Sequence, residues 1–204
     1  MLKPERPIAI LFKEIHEGSQ PAFDELFLNY YNKLSAFAQQ YIKQRERAEE
    51  ITSELFVKLW LKRRDLAHIV NPEMYLYVSV KNASLNQLRS ISKYNMFSAD
   101  DKENMLSQNT DHLGWDMEKK ELTLKLDQAV EALPQQRKII FKLVKENGLK
   151  SKEVAQILGI STRTVENQMY KAVKTLADTI TPYLGYNPQK TRFRKQLMYL
   201  LIFF

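Results

Sequence analysis

Cysteine is absent from the 204 residues, and glycine and proline are scarce at 5 and 7. The first absence excludes disulfides, cysteine zinc sites and a thiol nucleophile. The second argues against a turn-rich all-β chain, and runs rich in Leu, Lys, Glu, Gln and Ala favour helices instead. Histidine occurs only at His16, His68 and His112, too scattered for a metal site. No run reaches the roughly 18 apolar residues that a membrane span needs. The ending "LMYLLIFF" is short, and the early "IAILF" lacks the length and cleavage pattern of a signal peptide. No glycine-rich phosphate loop or nucleophile–base set is visible. The expectation is therefore a cytoplasmic protein that is not an enzyme, with no catalytic residue, metal, cofactor or small-molecule substrate.

What is present points to helices and to a polyanion. Hydrophobic residues make up 44% and charged residues 27%, enough for a real core in one large or two small domains. The net charge is +7, basic over 60–91, acidic over 92–120 and basic again over 121–184 and 185–204. Such an excess favours nucleic acid through counterion release, and it also fits simple solubility.

Apolar spacing predicts a first helical block over 21–92. Ser19 is placed to cap its first helix and Pro21 suits an early helical position. Phe23, Leu26, Phe27, Tyr30, Leu34, Phe37 and Ala38 then repeat at threes and fours. A second helix runs through "ERAEEITSELFVKLWLKRR", with Ile51, Leu55, Phe56, Leu59 and Trp60 as its stripe. "RRDLAHIVNP" reads as a loop, and Asn71-Pro72 as the start of the next helix. On that helix Tyr75, Ser79, Asn82, Asn86 and Arg89 share one face, while Tyr77, Val78, Leu85 and Leu88 lie opposite, where core is expected. A polar stripe carrying a tyrosine fits a solvated surface or a platform for unstacked bases. Over 93–120 the chain is polar and aperiodic and reads as a flexible linker.

The segment 151–176, "SKEVAQILGISTRTVENQMYKAVKTL", has the pattern of a helix-turn-helix. Ser151 is expected to cap a short helix that turns Val154, Ala155 and Leu158 inward. Gly159 makes the sharp turn and Ile160 plugs the core. Ser161 or Thr162 caps a second helix packed through Val165, Met169, Ala172, Val173 and Leu176. Its outward face holds Thr162, Arg163, Glu166, Asn167, Tyr170, Lys171 and Lys174, the short polar, amide and basic groups that major-groove reading requires. The alternative is an ordinary helical hairpin.

The run "LPQQRKIIFKLVKENGLKSKEVAQILGISTRTVENQMYKAVKTL" resembles region 4 of bacterial RNA polymerase sigma factors of the sigma-70 family, extracytoplasmic-function (ECF) group. The likeness rests on Leu133-Pro134, Arg137, Phe141, the "GLKSKEVAQILGIS" run, Thr164-Val165 and Lys171-Ala172. "AEEITSELFVKLW" resembles the segment of region 2 that docks on the polymerase clamp helices, and "NPEMYLYVSVKNASLNQLR" the segment that opens and reads the −10 element. Two motif sets in family order, over about 21–92 and 121–178, are far more specific than a helix-turn-helix alone. Departures fall at Arg47 and Asn86, where the family favours Asp, and at Ser53, where it often has Gln.

The resemblance implies an all-α fold of two small helical domains joined by a flexible linker. Region 2 would occupy 1–92 and the linker 93–120. A winged-helix-like helix-turn-helix of the region 4 type would occupy 121–184, ahead of a basic and apolar tail, 185–204. It implies a sigma factor whose partners are core RNA polymerase, promoter DNA (duplex at −35, single-stranded at −10) and an anti-sigma factor. Thr162, Arg163, Thr164, Glu166, Asn167 and Lys171 would contact the −35 element, and Ser79, Asn82, Asn86 and Arg89 the −10 strand. Glu49, Glu54 and Phe56 would dock on polymerase, and the 64–71 loop would hold a flipped base. The tail lies outside the resemblance.

Overall fold

The chain becomes helical earlier than its spacing suggested: "IAILFKEIH" forms α1 (Ile8–His16), turning Leu11, Phe12 and Ile15 inward. The computed structural model describes residues 6–95 and 117–181, so most of the expected linker and all of the 185–204 tail lie outside the described residues. The chain divides into two compact units, Met1–Leu106 and Ser107–Phe204, and the described residues contain helices and turns but no strand.

In the first unit, Gly18 closes α1 at φ 94, a left-handed conformation in which a side chain would be strained. The turn reverses the chain into α2 (Gln20–Gln39), where Ser19 caps as expected, its Oγ accepting from the Ala22 amide at 3.4 Å. Arg6 fastens the start of the chain to both helices, reaching Glu14 at 2.8 Å and Glu25 at 2.7 Å. Next come α3 (Arg45–Leu61) and α4 (Pro72–Asn95). Between them "RRDLAH" is not the loop expected but a 3-10 helix, Arg63–His68. Buried Leu66 anchors it, and α1 packs against it.

The core of this unit gathers Leu26, Leu34, Phe37 and Ala38 from α2, Ala48, Leu55, Phe56 and Leu59 from α3, and Leu76, Tyr77 and Val80 from α4. Tyr77 stands edge-on to Phe37 with ring centres 5.2 Å apart. The core side of α4 therefore differs from the expectation. Leu76, Tyr77, Val80 and Ser84 line it at i, i+4 and i+8, whereas Val78 and Leu85 are half-buried and Leu88 is 37% exposed. Contact with α1, α2 and α3 fixes the rotation of α4. Apolar count along its own sequence does not.

The second unit contains α5 (Met117–Glu131), α6 (Gln135–Lys145), α7 (Ser151–Leu158) and α8 (Thr162–Ile180). Ala129, Val130, Leu133, Phe141, Ala172 and Leu176 form a core cluster, with Leu126 and Met169 packed against it. On the outside, Glu131 at the end of α5 takes Lys138 at 3.0 Å and Lys142 at 2.6 Å, both from α6. The cap of α7 also differs from the expectation. Lys150 is the N-cap, its backbone N–H donating to the Glu153 carboxylate at 2.9 Å, and Ser151 is the first helical residue. Ile157, not Leu158, completes the inner face with Val154 and Ala155.

Two stability outcomes follow from these contacts. Among the described residues, the Ser84 hydroxyl is buried with no hydrogen-bond partner. Ser84→Ala removes that buried hydroxyl and improves helix propensity, so it should raise stability by roughly 1 kcal/mol in chemical denaturation. At Glu131 burial works against ionisation, but the hydrogen bonds from Lys142 and Lys138 outweigh it and hold the carboxyl below its usual 4.5. A carboxyl depressed by folding contributes stability above its unfolded value, lost as pH falls through the folded one. Glu131→Gln should slightly lower the thermal midpoint at neutral pH and flatten its decline in acid, read by melts across that range.

Candidate DNA-reading and docking faces

The helix-turn-helix presents its second helix through two local devices. Gly159 ends α7 at φ 72, and the Gly159 and Ile160 amides both return to the Ala155 carbonyl. Nothing lies within 4 Å of where a Cβ would stand, so glycine is required by conformation and not by space. Ser161 then caps α8, its Oγ accepting from the Thr164 amide at 3.0 Å and lying 2.8 Å from the Thr164 hydroxyl. Val165 is wholly buried, which turns Arg163, Glu166, Asn167, Tyr170, Lys171 and Lys174 outward together.

Of the six residues expected to contact the −35 element, Arg163, Glu166, Asn167 and Lys171 are exposed, while Thr162 and Thr164 are half-buried. The Thr164 hydroxyl is engaged with Ser161. Tyr170, 53% exposed, stands in the middle of the face, at seven residues from Arg163, a spacing legible in the sequence. Gln168 points the other way, and its amide oxygen accepts from Arg137 Nε at 3.3 Å, tying α6 to α8. Arg137 thus has an amide of the same unit as its partner.

On α4, Asn82, Asn86 and Arg89 are exposed, Tyr75 is 38% exposed and Ser79 is half-buried. Arg89 donates to the Asn86 amide oxygen at 3.3 Å, so the two present one hydrogen-bonding unit. The start of the helix is fixed by Asn71, whose Oδ1 accepts from the Met74 amide at 3.0 Å. Just before it stands Val70, 99% exposed, and the outer edge of the 3-10 helix carries exposed Arg64, Asp65, Ala67 and His68. Arg63 folds back, its Nη1 donating to the Trp60 carbonyl at 2.9 Å and its guanidinium lying 4.8 Å from the Trp60 ring centre.

On α3, Glu49 pairs with Arg45 at 2.7 Å and Glu54 with Lys58 at 2.8 Å. The hydrogen bond that Arg45 donates to Glu49 raises the Arg45 pKa. Such exposed i,i+4 pairs bind weakly and can be exchanged for other partners. Phe56 does not join them at the surface. It is 2% exposed and sits among Phe27, Phe23 and Tyr31, with ring centres 4.9, 6.1 and 6.1 Å away. The apolar groups that reach solvent are Val57, 57% exposed, and Leu61, 72% exposed, in line with Glu50 and Glu54. Spacing alone does not tell Phe56 from its neighbour Val57. The ring partners on α2 decide which of them turns in.

Comparison with known proteins accounts for both units. The family model for sigma-70 region 2 matches residues 26–94, and that for sigma-70 region 4 matches residues 123–176. The chain is 21% identical over 181 residues to the RNA polymerase sigma-H factor of Pseudomonas aeruginosa, covering 85% of this chain and 94% of that one. It is 23% identical over 185 residues to the ECF RNA polymerase sigma-E factor of Escherichia coli K12, covering 86% and 95%. This chain is an ECF-group member of the sigma-70 family. The sigma factor shares its fold with solved structures as well. It matches the sigma factor RpoE of Bartonella quintana, solved with the anti-sigma factor NepR, at a TM-score of 0.60 and 18% identity over 77% of this chain and 95% of that one. It matches CnrH, solved with the cytosolic domain of CnrY, at 0.52 and 16% over 83% and 94%. Helix α1 of this sigma factor lies outside both matched regions, while the candidate faces on α3, α4 and α8 lie within them.

Proposed function

We propose that this sigma factor binds core RNA polymerase, directs it to specific promoters and assists their opening. The observation that carries the reading is the pairing, in one chain, of a presented recognition helix with an exposed amide-and-arginine face on α4 beside a short capped loop. Family membership supplies the setting, transcription initiation by RNA polymerase in the cytoplasm, to which the protein contributes binding energy and no bond-making chemistry. An anti-sigma factor is a further partner, as NepR is for RpoE of Bartonella quintana.

The recognition helix reads duplex −35 DNA through Arg163, Glu166, Asn167 and Lys171, joined by Tyr170, each good base contact being worth about 1–3 kcal/mol. Thr162 and Thr164 lie at the helix start, near phosphate, with Thr164 also completing the cap. Opening at −10 without ATP needs single-strand affinity that offsets lost stacking. Asn82, Asn86 and Arg89 supply amide and guanidinium donors for it, Ser79 leaves room for the strand, and Tyr75 offers a ring on which a base can stack, worth about 1–3 kcal/mol per stacked base. Glu49 and Glu54 meet basic groups on polymerase, Val57 and Leu61 supply apolar area between them, and Phe56 holds that face from within.

The deciding experiment adds the protein to core polymerase and a genomic promoter pool. Complex formation and specific run-off transcripts are expected; failure to bind core sinks the reading and leaves an ordinary helix-turn-helix regulator. Within that assay Leu61→Glu should weaken core binding about tenfold or more, the scale of a buried apolar anchor. The double substitution Asn82→Ala, Arg89→Ala should impair opening more than duplex binding. Equal loss of both would mean that the α4 face does not act in melting.

A further inference from the structure

Resting on that promoter-opening reading, we infer that α1 is a positioning element for the DNA-facing loop, acting through His16. The 64–71 loop has little of its own to hold it. A 3-10 helix of six residues has poor hydrogen-bond geometry and borrows its stability from packing. Leu66 is the buried side chain in that helix, while Arg64, Asp65, Ala67, His68 and Val70 all face solvent.

Its two ends are nonetheless pinned. At the far end Asn71 caps α4. At the near end the His16 ring, on the last turn of α1, lies 3.3 Å from the Arg63 carbonyl oxygen through Nδ1. A carbonyl oxygen only accepts, so the ring nitrogen donates and Nδ1 carries the proton. Below this bond Leu11, Phe12 and Ile15 are buried, and α1 packs along the 3-10 helix. The guanidinium of the same Arg63 is turned back onto Trp60, so the residue that His16 holds is also the hinge between α3 and the loop.

Helix α1 is itself rigidly tied. Gly18 turns it back on α2, and Arg6 joins it to α2 through Glu14 and Glu25. The chain Arg6–α1–His16–Arg63 thus transmits the fixed position of α2 to a loop that lacks a core of its own. A pocket for an extruded base needs that fixity, because ordering a loose loop on binding subtracts from the affinity available for melting. His16 is a positioning residue and touches no base.

The test uses holoenzyme on a promoter selected by the wild-type protein from duplexes with randomised −10 and −35 hexamers. His16→Ala should slow open-complex formation, read by permanganate reactivity of −10 thymines, about three- to tenfold, the scale of one lost hydrogen bond. Affinity for core polymerase should stay unchanged. His16→Asn should restore the rate, since the asparagine amide nitrogen stands about where Nδ1 does and donates likewise. Abasic nucleotides stepped through the −10 strand should reveal one position at which the wild type drops to the His16→Ala rate and the variant loses nothing more.

Normal opening by His16→Ala, no rescue by asparagine, or a deficit that persists at every abasic position overturns the inference. A parallel loss of core affinity does so too, because it marks a general loss of structure. If wild-type holoenzyme itself opens no selected promoter, the promoter-opening reading fails and the inference falls with it. Opening by the wild type and equally by His16→Ala removes the α1 inference alone.

Discussion

Five aromatic rings along the seam between α2 and α3 set the geometry of the first unit. Phe23, Phe27 and Tyr31 recur at fours on α2 and close over Phe56 of α3, with Trp60 tilted against Phe23 at 5.1 Å. Burial of one such ring contributes roughly 1.5–3 kcal/mol, and each favourable ring pair about 0.5–1.5 kcal/mol beyond area. No exposed ion pair on the same helices approaches that sum. With Phe56 held inward, the helical rotation of about 100° per residue carries Val57 to solvent, and Leu61 one turn later follows it. The exposed apolar stripe of Val57 and Leu61 is therefore set by the aromatic seam.

The same seam governs α4 at one remove. Tyr77 packs on Phe37 of α2, while Tyr30 of α2 donates to Glu73 at the start of α4 at 3.3 Å. These contacts fix the rotation of α4, and its rotation decides that Asn82, Asn86 and Arg89 face out. In the second unit, cap and turn chemistry takes the equivalent role: Gly159 and Ser161 aim α8 before any side chain of its outward face is considered.

Local chemistry was the part most open to reading from the sequence. Ser19 as a cap, Asn71-Pro72 as a helix start, Gly159 as a turn and the outward set on α8 all depend on residues within four positions of one another. What escaped depended on partners distant in the chain. The apolar "IAILF" run has α1 periodicity, but its worth as a helix comes from packing on α2 and on the 3-10 segment about fifty residues further on. Val78, Leu85 and Leu88 looked as apolar as Leu76 and Val80, and only the positions of α2 and α3 choose between the two sets. Phe56 stands in the apolar stripe and is given to docking by the resemblance, and a helix alone does not reveal which of two adjacent apolar residues has rings waiting for it.

The division of labour along α8 has an evolutionary side. Val165, Ala172, Val173, Leu176, Ala177 and Ile180 hold the helix in its unit, and Arg163, Glu166, Asn167, Tyr170 and Lys171 face outward. No residue belongs to both sets. Gln168, which sits between them, is committed to Arg137 and anchors the helix sideways. On the proposed −35 reading, substitutions in the outward set alter the preferred DNA sequence while leaving the packing untouched. If that reading holds, a duplicated copy of this gene can drift to new promoters without first passing through an unfolded intermediate.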